Sequence, residues 1–266
     1  MSPAPSVSPS PLPLHGQVAV VTGGAGGIGE AICRGLAAAG CAVVVGYNRS
    51  EGPAATLAAA LPAAHAAHAA LKCPVTDSVA LAQLAAEVQR RYGRCDLLVN
   101  CAGTTRFVPH GDLDGLDDAL IDQILATNVR GTIAAVRALR PLLDAAADPA
   151  TGRTGLVVNI SSIAAVTAMG SNIAYCASKA AVDNLTKSMA RALAPAIRVL
   201  SVSPGLADTE FVKSMDRAWR DEQAARTPLQ RLALPEEVAA AVVTAAAHLT
   251  FTTGAVIPVD GGRPLA

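Results

Sequence analysis

The stretch "VAVVTGGAGGIG", Val18 to Gly29, decides how the rest of the chain is read. Its opening run of valine and alanine is uninterrupted by polar residues, which is the pattern of a strand buried on both faces. Glycines follow at once, at Gly23, Gly24, Gly26, Gly27 and Gly29. Lacking a Cβ, they allow a tight turn with positive φ and let backbone N–H groups come close to a ligand. A helical pattern then runs through Ala39, and its N-terminus would turn its positive end toward an anion. The string Gly24, Gly26, Gly29 matches G-x-G-x-x-G, which by itself can be a plain tight turn. Its position between a buried strand and a helix reads as a pyrophosphate-binding turn for a dinucleotide.

Working outward, the same alternation repeats. Apolar runs "CAVVVGY" (Cys41–Tyr47), "CDLLVNCAG" (Cys95–Gly103), "GLVVNISS" (Gly155–Ser162), "IRVLSVSPG" (Ile197–Gly205) and "GAVIPVDGG" (Gly254–Gly262) are separated by helical stretches. Strand, helix, strand in repetition predicts an α/β chain: a doubly wound parallel sheet of Rossmann type, with helices on both faces. No compositional break divides residues 16–266, so they are read as one domain behind a disordered Pro/Ser-rich tail, residues 1–15. Residues 104–116 and 206–234 fit no element and follow strand ends, where open α/β sheets bind ligands; they are the expected substrate loops. The alanine-rich run Ala54–Leu71, which carries Pro62, is expected as a surface helix with His65 and His68 solvated.

Composition narrows the function classes. The 266 residues are 52% hydrophobic and carry 21 basic against 21 acidic side chains, so nothing marks a nucleic-acid or membrane-surface footprint. Aromatic residues make up 3%, too few for base-stacking platforms. The six cysteines show no C-x-x-C pair and no ligand spacing, which predicts reduced thiols, no metal site and a cytoplasmic protein.

The end of the second strand should discriminate NAD from NADP. There the chain reads Tyr47, Asn48, Arg49, Ser50, with no carboxylate at the strand end to accept from a ribose 2′-hydroxyl. Arg49 and Ser50 suit a 2′-phosphate, so NADP(H) is favoured over NAD(H). The plainer alternative is a solvated arginine beside Glu51.

"NIAYCASK", Asn172 to Lys179, places Tyr175 and Lys179 four apart, on one face of a helix. A free tyrosine, with a pKa near 10, is a poor proton shuttle at neutrality. A lysine ammonium and a positive nicotinamide ring nearby would favour its phenolate. Ser162 ends a buried strand upstream, where its hydroxyl could meet the same substrate oxygen. A lone Y-x-x-x-K is otherwise an ordinary helix-surface pair.

Taken together, "TGGAGGIG", "NCAG" (Asn100–Gly103), "TNVRG" (Thr127–Gly131), "NISS" (Asn159–Ser162), "YCASK" (Tyr175–Lys179), "SPGLADT" (Ser203–Thr209) and "PVDGG" (Pro258–Gly262) give the chain its character. In this order they resemble the short-chain dehydrogenase/reductase family, in its larger branch of roughly 250 residues. The resemblance covers about residues 16–265. Within the family the chain looks most similar to the 3-oxoacyl-[acyl-carrier-protein] reductases, through "AGTTR" to "TNVRG" and the ending "PEEVA…TGAVIPVDGG".

The resemblance implies roles residue by residue. Tyr175 would be the acid/base, Lys179 its electrostatic partner and ribose ligand, Ser162 the orienting hydroxyl, and Asn128 the holder of a water in a proton relay. Gly23, Ala25, Gly26, Gly27, Ile28 and Gly29 would form the pyrophosphate turn. Asn100, Ala102 and Gly103 would wall the adenosine ribose, Pro74 and Val75 the adenine, and Pro204, Gly205, Ala207 and Thr209 the nicotinamide end. The family also implies a homo-oligomer, tetramer or dimer, through helices near Asp117–Ala146 and Ala174–Ala194.

Departures are plain too. Pro74 stands where an aspartate is usual, Cys101 replaces an asparagine, Leu200 stands where an asparagine often precedes the P-G segment, and Gly26 lacks the basic side chain common in NADP-preferring members. Arg106, Met169, Phe211, Met215 and Trp219, with Phe107, are expected around a mostly apolar substrate pocket. Trp219 would belong to a lid over it. The expected reaction is interconversion of a ketone and a secondary alcohol, with a 3-oxoacyl thioester as one substrate class. An NAD(P)-linked sugar or polyol dehydrogenase is the alternative within enzymes, and a non-catalytic cofactor sensor on the same fold is the alternative outside them.

Overall fold

The computed structural model describes residues 12–265. Seven strands form one sheet: β1 (Val18–Thr22), β2 (Ala42–Tyr47), β3 (Ala69–Lys72), β4 (Leu97–Asn100), β5 (Gly155–Ile160), β6 (Ile197–Pro204) and β7 (Val256–Val259). Their order is β3-β2-β1-β4-β5-β6-β7, and every neighbouring pair is parallel. The order reverses between β1 and β4, where Thr22 pairs with Asn100. That reversal opens the crevice in which such sheets bind ligands.

Both sheet faces are covered, as the continuous apolar strands require. On one face Val21, Val43, Val45 and Val99 pack with Ile32, Leu36, Val238 and Val242 of α1 (Gly27–Ala38) and α10 (Pro235–Ala247). Gly35 lies at the contact of those two helices, where a Cβ would meet Val243 Cγ2 at 3.4 Å, an ordinary van der Waals distance. On the other face Val20, Leu98, Val157 and Val199 meet Leu84, Val88, Leu139 and Leu143 of α3 (Ser78–Tyr92) and α5 (Gly131–Ala146). The remaining helices are α2 (Glu51–Ala60), α4 (Asp118–Leu125), α6 (Ala164–Thr167), α7 (Ile173–Leu193), α8 (Glu210–Lys213) and α9 (Arg217–Ala225).

Three sequence expectations change. Packing begins before residue 16: Leu14, assigned to the tail, is fully buried and its N–H donates to Ala39 O at 2.9 Å. Burying a leucine is worth about 2 kcal/mol, enough to dock a short segment. The rest of the tail, residues 1–11, lies outside the described residues. The run expected as one helix from Ala54 to Leu71 divides, because α2 stops at Ala60 and Leu61 turns extended ahead of Pro62. Its far end becomes the edge strand β3, a change that alanine and histidine do not signal. His68 is therefore not merely solvated: its Nδ1 accepts from Val43 N–H at 3.0 Å and its Nε2 meets Pro62 O at 2.8 Å. The helix expected over 117–146 also divides, through a π turn at Ala126–Arg130. Among the described residues, no helix is long and apolar enough to cross a membrane.

Candidate active site

A cleft of ≈ 1680 Å³ follows the C-terminal strand ends from β3 to β6. At its β1 end the glycine turn is shaped for close approach. A Cβ on Gly23 would stand 2.9 Å from Ala102 Cα, and one on Gly29 would collide with the carbonyl oxygen of Gly23. Gly26 is the N-cap of α1 and makes no side-chain cap bond, so the N-terminal N–H groups of a 12-residue helix face the cleft without a side-chain partner. That is a cradle for a phosphate anion. The glycine turn touches the opposite wall, since a Cβ on Gly27 would reach within 2.9 Å of Thr209 Cγ2.

Thr22 holds the neighbouring wall. Its Oγ1 accepts from Cys101 N–H at 3.1 Å and Ala102 N–H at 3.0 Å. Cys101, Ala102 and Gly103 line the cleft, whereas Asn100 lies beneath it, donating from Nδ2 to Asn159 Oδ1 at 2.9 Å. At the end of β2, Tyr47, Asn48, Arg49 and Ser50 all line the cleft. Burial, and then the negative charge of the nearby Glu51 carboxylate, push the Tyr47 phenol up. Val75 lines the cleft floor against the start of α5, but Pro74 is not among the lining residues. Cys73, Val75 and Thr76 line that end of the cleft.

The same cleft contains Ser162, Tyr175 and Lys179. Asn172 caps α7 by accepting from Tyr175 N–H at 2.7 Å, while its Nδ2 donates to Arg106 O at 2.7 Å and Thr105 Oγ1 at 3.2 Å. This one buried side chain joins the 104–110 loop to the helix that carries the tyrosine. Lys179, one turn on, is buried and donates to Ile160 O at 2.8 Å, with its Nζ 5.6 Å from the Tyr175 ring centre. Ser162 Oγ accepts from Ala164 N–H at 3.1 Å.

Asn128 sits in the π turn, which widens the helix so that its amide reaches sideways. It accepts from Thr104 N–H at 2.8 Å and donates to Thr104 O at 3.1 Å and Ser178 Oγ at 3.0 Å. It is buried and does not line the cleft, but a Cβ on Gly103 would lie 3.5 Å from its Oδ1 and 3.9 Å from Lys179 Nζ. Cys101 shares this neighbourhood: burial pushes its thiol up to about 11, opposed by the Lys179 charge.

The segment after β6 closes the far wall. Pro204, Gly205, Ala207, Thr209, Met215 and Trp219 line the cleft, as does Met169 from the loop before α7. Arg106 does not: its guanidinium turns away to Gly115 O at 3.0 Å and Asp117 at 3.3 Å. Phe107 beside it does line the cleft, and the side chain of Phe211 lies outside the described residues. Sequence reasoning missed Thr22, Asn172 and Ser178, of which only Asn172 carried a signal, as an N-cap residue type before a helix. It also missed His110, Gln223, Arg226 and Arg263 on the cleft wall.

Residues 17–220 match the short chain dehydrogenase family. The chain belongs to that family. This short-chain dehydrogenase is similar to the cis-4-hydroxycyclohexanecarboxylate dehydrogenase of Sinomonas cyclohexanicum, with 39% identity over 92% of this chain and 96% of that one. It is 36% identical to the D-threitol dehydrogenase of Mycolicibacterium smegmatis, over 94% of this chain and 93% of the other. Among solved structures, it matches a gluconate 5-dehydrogenase from Burkholderia cenocepacia, in complex with NADP and tartrate. That match has 31% identity and a TM-score of 0.83, covering 95% of this chain and 97% of the other. It also matches a 3-ketoacyl-(acyl-carrier-protein) reductase from Brucella melitensis complexed with NADH, at 27% identity and TM-score 0.84, covering 94% and 99%. The short-chain dehydrogenase is thus an oxidoreductase of a family that binds nicotinamide dinucleotides, and both NADP and NADH occur among its structural neighbours.

Proposed function

We propose that this short-chain dehydrogenase interconverts a ketone and a secondary alcohol, with Tyr175 as the acid/base and NADP(H) as the favoured cofactor. The observation that carries this reading is the shared cleft: Ser162, Tyr175 and Lys179 face the same space as the glycine turn. A bound nicotinamide dinucleotide supplies or accepts the hydride. The uncapped start of α1 holds its pyrophosphate, and Arg49 and Ser50 hold a 2′-phosphate; among the described residues Arg49 has no ion pair to give up. In the reductive direction Tyr175 donates its phenolic proton to the carbonyl oxygen as the hydride reaches the carbonyl carbon. Ser162 hydrogen-bonds that oxygen, and the Lys179 ammonium favours the phenolate left behind. Asn128 and the Thr104 backbone hold Gly103 beside Lys179 and position a water that returns the proton.

The walls formed by Met169, Met215, Trp219 and Phe107 favour an apolar acyl or alicyclic ketone. The polyol reading draws on the threitol dehydrogenase relative and on the polar groups His110, Ser171 and Gln223 in the same cleft. We also infer a cytoplasmic homo-oligomer, dimer or tetramer; Leu125, Ile133 and Ile173 on α4, α5 and α7 are exposed apolar side chains available to such a contact.

The deciding experiment titrates the protein with NADPH and with NADH by nicotinamide fluorescence, then adds ketones. Tighter NADPH binding with ketone-dependent oxidation is expected. Equal or better NADH binding would leave Arg49 a solvated side chain and turn attention to polyol oxidation. Binding without turnover of any substrate would favour the cofactor-sensing alternative.

A further inference from the structure

The α9 side of the cleft carries a charge that hydride transfer does not require. Arg263, from the segment after β7, lines the cleft yet is only 9% exposed. Its guanidinium donates to Gln223 O at 3.2 Å and Gln223 Oε1 at 3.0 Å. Among the described residues it forms no ion pair. Burial, and then the charge of Arg226, hold its pKa below the ordinary arginine range, with Glu222 opposing. Arg226 also lines the cleft and is paired with Glu222 at 3.5 Å. The other acids nearby are engaged: Glu210 with Lys213 at 2.9 Å, Asp216 with the Trp219 N–H at 3.0 Å, and Asp260 with the Gly262 N–H at 2.9 Å. Among the described residues Arg263 is therefore a buried cation that no carboxylate contacts directly, and such a group is costly unless an opposite charge meets it. Gln223 fixes the plane of the guanidinium and leaves its remaining N–H groups for a ligand.

We propose that Arg263, assisted by Arg226, binds a carboxylate of the substrate, so that oxo and hydroxy acids are preferred over neutral ketones and alcohols. The reacting carbon is then separated from the acid group by an apolar spacer lying along Met215 and Trp219. A planar guanidinium suits the two oxygens of a carboxylate. This rests on the oxidoreductase reading above and names its substrate class.

The test uses cyclohexanecarboxylate, which has no carbonyl to reduce, and neutral cyclohexanecarboxamide. Calorimetric binding of each to the cofactor-loaded protein is compared for the native chain, Arg263→Gln and Arg226→Gln. The acid should bind at least about tenfold tighter than the amide, and Arg263→Gln should weaken acid binding about 30-fold. No preference in the native chain, or a preference that survives Arg263→Gln, overturns the proposal. Should Arg263→Gln fail to fold, exposed Arg226→Gln decides, and an unchanged preference there overturns it. A loss of NADPH affinity in place of acid affinity would assign the cluster to the cofactor and equally overturn it. Turnover is read separately, as NADPH oxidation with 4-oxocyclohexanecarboxylate. Acid binding without any turnover would sink the oxidoreductase reading and leave the anion site standing.

Discussion

Lys179 reaches from α7 to the end of β5, where its ammonium donates to the Ile160 carbonyl oxygen at 2.8 Å. A backbone acceptor holds the charge in place without neutralising it, so it remains available to a phenolate on Tyr175, whose ring centre is 5.6 Å away. The strand and the helix are both fixed by core packing, so the pair is preorganised before any ligand arrives.

Removing the phenol should therefore separate binding from chemistry. Tyr175→Phe should bind cofactor within about threefold of the native protein and lose turnover by about 10³-fold, within the usual range for a positioned acid/base. Stopped-flow cofactor binding and steady-state rates measure both. A phenylalanine variant that keeps a tenth of the native rate would remove Tyr175 from the mechanism.

Cofactor choice should turn on Arg49. Arg49→Ala should weaken NADPH about tenfold and leave NADH unchanged, because only the 2′-phosphate meets that guanidinium. At Gly26 a Cβ would meet nothing closer than Gly23 O at 3.5 Å. Gly26→Arg should fold normally and raise NADPH preference further. Loss of NADH binding in parallel with NADPH in Arg49→Ala would show that the residue acts on the fold instead.

The turn itself tolerates less. Gly29→Ala drives a methyl group into the Gly23 carbonyl, a backbone atom that cannot swing aside. Destabilisation of about 1–3 kcal/mol and loss of dinucleotide binding are expected, read by urea unfolding and fluorescence titration. Native affinity in this variant would mean that the turn is softer than its packing implies.

Asp96 ties the first strand to its neighbourhood. It is buried, and its Oδ2 accepts from Val18 N–H at 2.9 Å and from Arg94 Nε at 2.9 Å. Asp96→Ala should cost about 3 kcal/mol, since a buried N–H loses its acceptor and Arg94 its partner. A midpoint shift below 1 kcal/mol equivalent would argue that water replaces the carboxylate without penalty.

Glu237 gives the pH dependence a definite sign. Arg231 and the Leu234 N–H, at 2.6 Å and 2.8 Å, hold its carboxyl at about 2. The folded value lies below the unfolded value of about 4.3, so its contribution is present above that pH and is lost as pH falls through about 2. The side chain is 36% exposed, which limits the effect to about 0.5–1 kcal/mol, the range of a helix cap. Native and Glu237→Gln proteins should differ by that amount at pH 6 and converge near pH 2 in thermal unfolding. Parallel curves across the range would contradict the assignment.

The uninterrupted valine-rich runs and the glycines at Val18–Gly29 were enough to specify a doubly wound parallel sheet and its dinucleotide turn, because both-face burial and a Cβ-free turn are written in residue type. The pairing of Tyr175 with Lys179 was equally legible, since a spacing of four on a helix sets a shared face. Other features depended on contacts that no local pattern encodes. β3 exists because β2 offers it an edge, although its two alanines favour no strand. Asn128 is aimed by a π turn and by Thr104, which is distant in sequence. Arg106 was drawn off by Asp117, and Arg263 was brought to the cleft wall by Gln223, forty residues earlier. Chemistry that rests on residue type and short spacing can be read from the chain. The shape and charge of the substrate wall come from long-range packing, which only the folded molecule decides.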